Sequence, residues 1–113
     1  DVGWGCGLSG NGERERSGMA IAGAEQDIDR GTAAEGADEL RTRRGVRASF
    51  VLFKHDTGVN LSARSLGEIN VQFIMEKLGG GGNSTTAGGQ IPDGTVDAVR
   101  EQLIAAIDQY LEG

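Results

Sequence analysis

Residues 59–82 read Val-Asn-Leu-Ser-Ala-Arg-Ser-Leu-Gly-Glu-Ile-Asn-Val-Gln-Phe-Ile-Met-Glu-Lys-Leu-Gly-Gly-Gly-Gly, and their hydrophobic period changes within a dozen positions. Val59 to Ser65 alternate apolar with polar, the period of a strand with one buried face. From Asn70 the apolar residues fall at Val71, Ile74, Met75 and Leu78, the i, i+3, i+4, i+7 spacing of one helix face, with Asn70 as N-cap and Gly79 as stop. Upstream, Ala48-Ser49-Phe50-Val51-Leu52-Phe53 reads as a mostly buried strand, and His55-Asp56-Thr57-Gly58 supplies turn residues, so 48–65 is predicted as a β-hairpin. Further back, a helix is expected from Asp27, with Ile28, Ala33, Ala37 and Leu40 on one face. It ends in the basic turn Arg41-Thr42-Arg43-Arg44-Gly45. Met19-Ala20-Ile21-Ala22 suits a short buried strand. Downstream, Ala87 to Ile91 is a strand, Pro92-Asp93-Gly94 a turn, and Thr95 caps a last helix whose inner face is Val96, Val99, Leu103, Ile107 and Leu111. The order β, α, β, β, α, β, α predicts an α/β (mixed α+β) fold, a mixed sheet of about four to five strands with helices packed on it.

The 113 residues, with a net charge of −6, suit one domain, and with aromatics at only 4% its core must be built from aliphatic side chains. Residues 1–17, rich in glycine and including Trp4, read as a flexible arm or linker, leaving 18–113 as the domain. No apolar run approaches the roughly 20 residues that span a bilayer, and the N-terminus lacks a secretory pattern. A lone Cys6 cannot form an internal disulfide, so a cytoplasmic domain with no direct membrane contact is expected. With one histidine, His55, and one cysteine the sequence shows no His/Cys cluster of metal-ligand spacing and no cysteine–histidine or Ser/His/Asp set, so a self-contained metalloenzyme is not expected.

Two features point to an anionic ligand. Gly79 to Gly88, Gly-Gly-Gly-Gly-Asn-Ser-Thr-Thr-Ala-Gly, lies between a helix end and a strand. Its glycines let backbone N–H groups converge on a phosphate oxygen, and Asn83, Ser84, Thr85 and Thr86 add donors. A flexible linker has the same composition, but a linker joins domains, and only the last strand and helix of the same sheet follow. Neither the Walker A pattern nor the dinucleotide fingerprint matches. Residues 41–64 carry a local charge of +5 on an otherwise acidic chain. The arginines at 41, 43 and 44 suit a solvated helix end, whereas Arg64, in a strand, can act as a planar bidentate donor. His55 reads as a loop residue, and Glu68 and Glu76 as solvated charges.

The stretches Gly45 to Leu52, Ser62 to Ser65 and Gly67 to Gly82 together resemble the C-terminal substrate-binding domain of DHH-type phosphoesterases. The wording is most similar to the membrane-anchored cyclic-di-AMP phosphodiesterases. The resemblance covers about Met19 to Leu111 and implies a two-lobed enzyme. A separate DHH lobe would hold a pair of manganese ions, while this lobe grips the nucleotide phosphate and by itself holds neither cofactor nor catalytic residue. Carried over by position, the substrate-binding residues it implies are Arg64, Gly80, Gly81, Gly82 and Asn83, with Ser62 and Thr86 beside them. The family's loop has histidine after its glycines. Asn83 stands there, a donor that can carry no positive charge.

The partners implied are a cyclic dinucleotide or short oligonucleotide and the DHH lobe of the same parent, with a homodimer allowed. Alternatives are a non-catalytic nucleotide or single-stranded nucleic-acid binding module, the corresponding lobe of an oligoribonuclease or exonuclease, and a structural oligomerisation domain. Overall acidity argues against broad nucleic-acid binding.

Overall fold

In the computed structural model the described residues are 14–16, 19–27, 35, 37–38, 46–55 and 57–112. They form a six-stranded mixed sheet and two complete helices: β1 (Arg14–Arg16), β2 (Met19–Asp27), β3 (Ala48–His55), β4 (Gly58–Ser65), α1 (Val71–Glu76), β5 (Gly81–Gly82), β6 (Thr86–Ile91) and α2 (Val96–Glu112). The strand order is β1-β2-β3-β4-β6-β5. Only β2 and β3 run parallel; the other neighbours are antiparallel. Four strands are long, as expected, and two short ones extend the edges.

The hairpin lies where the alternation places it, with His55 opposite Gly58 and Ala48 opposite Ser65. Asn70 accepts hydrogen bonds from the N–H groups of Gln72 and Phe73, and the Thr95 hydroxyl accepts from Ala98 N–H, so both helices start on the predicted caps. Two upstream segments differ. Arg14–Arg16, placed by composition in the arm, pairs with β2 as an edge strand. β2 itself runs to Asp27, where helical spacing was expected to begin. The tertiary pairing of β2 with the parallel β3 outweighs a glycine-interrupted helical pattern. Glu35, Ala37 and Asp38 are helical; the rest of the predicted 28–40 helix, the basic turn at 41–45, Trp4 and Cys6 lie outside the described residues.

Strand parity divides the structure. Phe50 and Leu52 of β3, Val59, Leu61 and Ala63 of β4, and Met19 and Ile21 of β2 face α1 and α2, closing on Ile74, Met75, Val99, Leu103 and Ile107. The opposite parity, Ser49, Val51 and Phe53 on β3 with Asn60, Ser62 and Arg64 on β4, faces away from those helices. Ala37 sits over part of that second face, where its carbonyl accepts from the buried Ser49 hydroxyl.

Phe50, fully buried between sheet and helices, is expected on truncation to alanine to cost about 3–5 kcal/mol in urea unfolding. Lys54→Ala, on the same strand but exposed, should stay within about 0.5 kcal/mol of the parent.

Candidate functional site

A cleft of about 280 Å³ opens on the second face, lined by Phe53, Asn60, Leu61, Ser62, Arg64, Thr86, Ala87, Gly88 and Gly89. The register explains the grouping, because Arg64 lies opposite Thr86, Ser62 opposite Gly88 and Asn60 opposite Gln90 on the β4–β6 ladder. Three of the residues singled out from sequence, Arg64, Ser62 and Thr86, therefore share one cleft. Gly80, Gly81, Gly82 and Asn83 border it along β5 and the turn into β6, outside its lining.

Arg64 is held rather than free, its side chain only 15% exposed. Its Nε lies 3.2 Å from Asp38 Oδ1 and its Nη1 donates to the Ala63 carbonyl at 2.8 Å. These two contacts leave Nη2 and the second Nη1 hydrogen as the remaining donors of the fork. Arg47 pairs with Glu68, so among the described residues the basic segment divides between separate acidic partners instead of forming one patch.

The glycine segment is ordered by packing. A Cβ at Gly80 would meet Gly89 Cα at 2.9 Å, and one at Gly82 would meet Ala87 Cα at 2.5 Å, so β5 lies on β6 only without side chains. Three of its N–H groups go to backbone carbonyls rather than converging as the composition allows. Gly80 N–H donates to Met75 O at 2.8 Å, Gly79 N–H to Glu76 O, and Asn83 N–H to Thr86 O. Asn83 Oδ1 accepts from Thr85 N–H, Thr86 N–H and the Thr85 hydroxyl, which fixes the turn, while the side-chain NH₂ of this exposed residue takes part in none of these bonds.

Sequence reasoning missed Ser65, Asn60 and Asp38. Ser65 is buried. Its hydroxyl lies 2.7 Å from Ile69 O and 3.2 Å from Ser84 O and accepts from Gly67 N–H, while its own N–H donates to Thr85 O. Val71 N–H donates to Ser84 O as well, so the 83–86 turn is tied to the β4–α1 junction beside Arg64. A serine that breaks an otherwise apolar parity on β4 was the signal for it. A wider groove of about 680 Å³ between α1 and α2, lined by Phe73, Glu76, Lys77, Gln109 and Tyr110, holds none of the residues predicted to bind substrate.

Among the described residues no three His, Cys, Asp or Glu side chains group so as to hold a metal ion. No helix among them is long and apolar enough to cross a membrane.

Comparison with known proteins bears on this geometry. The model of the DHHA1 domain family matches residues 17–113. Cyclic-di-AMP phosphodiesterase PdeA of Listeria monocytogenes is 50% identical over 99 residues, 85% of this chain and 15% of that protein. Cyclic-di-AMP phosphodiesterase GdpP of Geobacillus thermodenitrificans is 50% identical over 102 residues, 88% of this chain and 16% of that protein. The chain thus spans less than a fifth of the length of these relatives. An exopolyphosphatase-related protein from Bacteroides fragilis superposes with a TM-score of 0.75 at 19% identity, over 87% of this chain and 31% of that one, a likeness of fold alone.

Ser65→Ala removes a buried hydroxyl with three partners and is expected to lower stability by about 1–3 kcal/mol in urea unfolding. Amide exchange should rise first at Thr85 and Thr86, whose turn that hydroxyl helps to anchor.

Proposed function

Since the chain belongs to the DHHA1 domain family, we propose that it is the lobe with which a phosphodiesterase acting on cyclic-di-AMP grips its nucleotide. The observation that carries this reading is the placement of the held Arg64 guanidinium beside Thr86, whose N–H is bound by Asn83. The three residues offer a fork, a hydroxyl and an amide NH₂ to one side of the cleft, the donor set that a phosphodiester oxygen pair takes. Asp38 fixes the fork by its Nε and leaves Nη donors for the ligand.

Two relatives near 50% identity, both named as cyclic-di-AMP phosphodiesterases, support this choice of substrate. A cleft of about 280 Å³ is at the lower limit of the roughly 300–1,000 Å³ of small-molecule sites. That size suits one nucleotide half of a cyclic dinucleotide, with the other half gripped by a DHH lobe of the same parent protein. The groups that attack the phosphodiester also belong to that lobe. Here the chain's residues bind and orient: Arg64 neutralises phosphate charge, Asn83 and Thr86 set its direction, and Ser62 lies at the height of the sugar. With asparagine after the glycines, the loop donates a hydrogen bond without adding positive charge, so the charge on the phosphate falls to Arg64.

Titration calorimetry of this chain with cyclic-di-AMP in the presence of a chelator is expected to show saturable binding without product formation. Arg64→Ala should weaken it roughly 10- to 100-fold, the loss of a charged hydrogen-bonding pair. Asn83→Asp keeps an acceptor for Thr85 and Thr86, so its melting temperature should hold while affinity falls at least about tenfold through the added negative charge. Absence of binding by the parent chain, or an Arg64→Ala variant that binds equally well, overturns the reading.

A further inference from the structure

We propose that Asn60, with Phe53 beside it, forms a base-reading subsite that selects adenine at the end of the cleft remote from Arg64. This rests on the reading that the Arg64 end grips a phosphate. Asn60, Ser62 and Arg64 share one parity of β4 and all three line the cleft. At the rise of a strand, Asn60 and Arg64 stand about 13 Å apart along it, comparable to the reach of an extended nucleotide from its phosphate to the far edge of its base. Phosphate, sugar and base then meet Arg64, Ser62 and Asn60 in turn.

Asn60 is the less expected member. Asparagine is disfavoured in the middle of a strand, and this one is only 5% exposed. Among the described residues its side chain makes no hydrogen bond, and what surface it keeps faces the cleft. Its amide nitrogen and oxygen are not among the sealed, unpartnered atoms of the described residues, so the little surface the residue keeps is where the amide is open to a ligand in the cleft. Phe53, directly opposite on β3 and 1% exposed, gives the cleft an apolar wall at this end. On β6, Gln90 lies across from Asn60, and Gly88, across from Ser62, puts no side chain into the middle of the cleft.

The chemistry favours adenine. A primary amide presents one donor and one acceptor side by side, the complement of adenine N7 and N6–H. Guanine offers two acceptors, N7 and O6, on the same edge, so Oδ1 would face an oxygen without a hydrogen between them.

The test uses the whole chain with ribose 5-phosphate, AMP and GMP, read by calorimetry, and the variants Asn60→Ser and Asn60→Asp, with circular dichroism to report folding. The parent chain is expected to bind AMP roughly tenfold more tightly than either ribose 5-phosphate or GMP. Asn60→Ser should reduce AMP to the GMP level and leave ribose 5-phosphate unchanged. In Asn60→Asp, of the same shape, the lost donor should remove the AMP preference. If ribose 5-phosphate binds but AMP binds no better, or if Asn60→Ser keeps the AMP preference, the base subsite is overturned and the phosphate grip stands. If none of the three ligands binds the parent chain, the phosphate grip fails and the subsite with it. Should a variant fail to fold, the ratio of AMP to GMP affinity in the parent chain decides alone.

Discussion

The hydroxyl of Ser65 is the point on which the site depends. β4 ends there and the chain must turn at once into α1, leaving the Ile69 carbonyl and the Gly67 N–H without helical or ladder partners. One buried hydroxyl serves both, and it also meets the Ser84 carbonyl of the turn that follows β5. The β4–α1 junction and the 83–86 turn are therefore one unit. Tyr110 of α2 closes it from below, its hydroxyl accepting from Asn70 N–H at 3.0 Å. Arg64, next to Ser65 in the chain, has no choice of neighbour: the ladder that seats Ser65 puts Arg64 across from Thr86.

A sheet with two differently used faces follows from strand parity. The side toward α1 and α2 is closed by aliphatic side chains and supplies the stability. The other side is polar along β4 and apolar at Val51 and Phe53 of β3 and at Ala20 and Ala22 of β2, and is covered in part where Ala37 and Asp38 meet it. Asp38, exposed at its carboxylate and paired with Arg64, joins the β2–β3 crossover to the cleft without filling it. A single ion pair of this exposure adds little to stability; its effect is to hold a long, flexible side chain in one direction.

Residues that carry local signals were readable in the sequence. The hairpin at 48–65, the caps at Asn70 and Thr95 and the stop at Gly79, with its φ of 86°, are set by neighbours in the chain and appear where the pattern puts them. What could not be read depends on distant pairing. β1 has strand form because β2 lies beside it, and β2 outruns its short apolar run because β3 runs parallel to it. The glycines at 80 and 82 suggested converging amides, yet their lack of side chains serves the approach of β5 to β6. Asn60 was passed over because polar residues on an alternating strand are normally solvated, and only the folded sheet shows this one buried.

The two-residue strand β5 has a consequence at the edge of the sheet. An open edge presents unpaired N–H and C=O groups on which another chain can add a strand, and long flat edges invite aggregation. Here the sheet ends after Gly81 and Gly82, and Asn83 turns the backbone into β6 at once. The glycines that bring this loop against its neighbour also leave, at this margin of the sheet, an edge too short to template a long added strand.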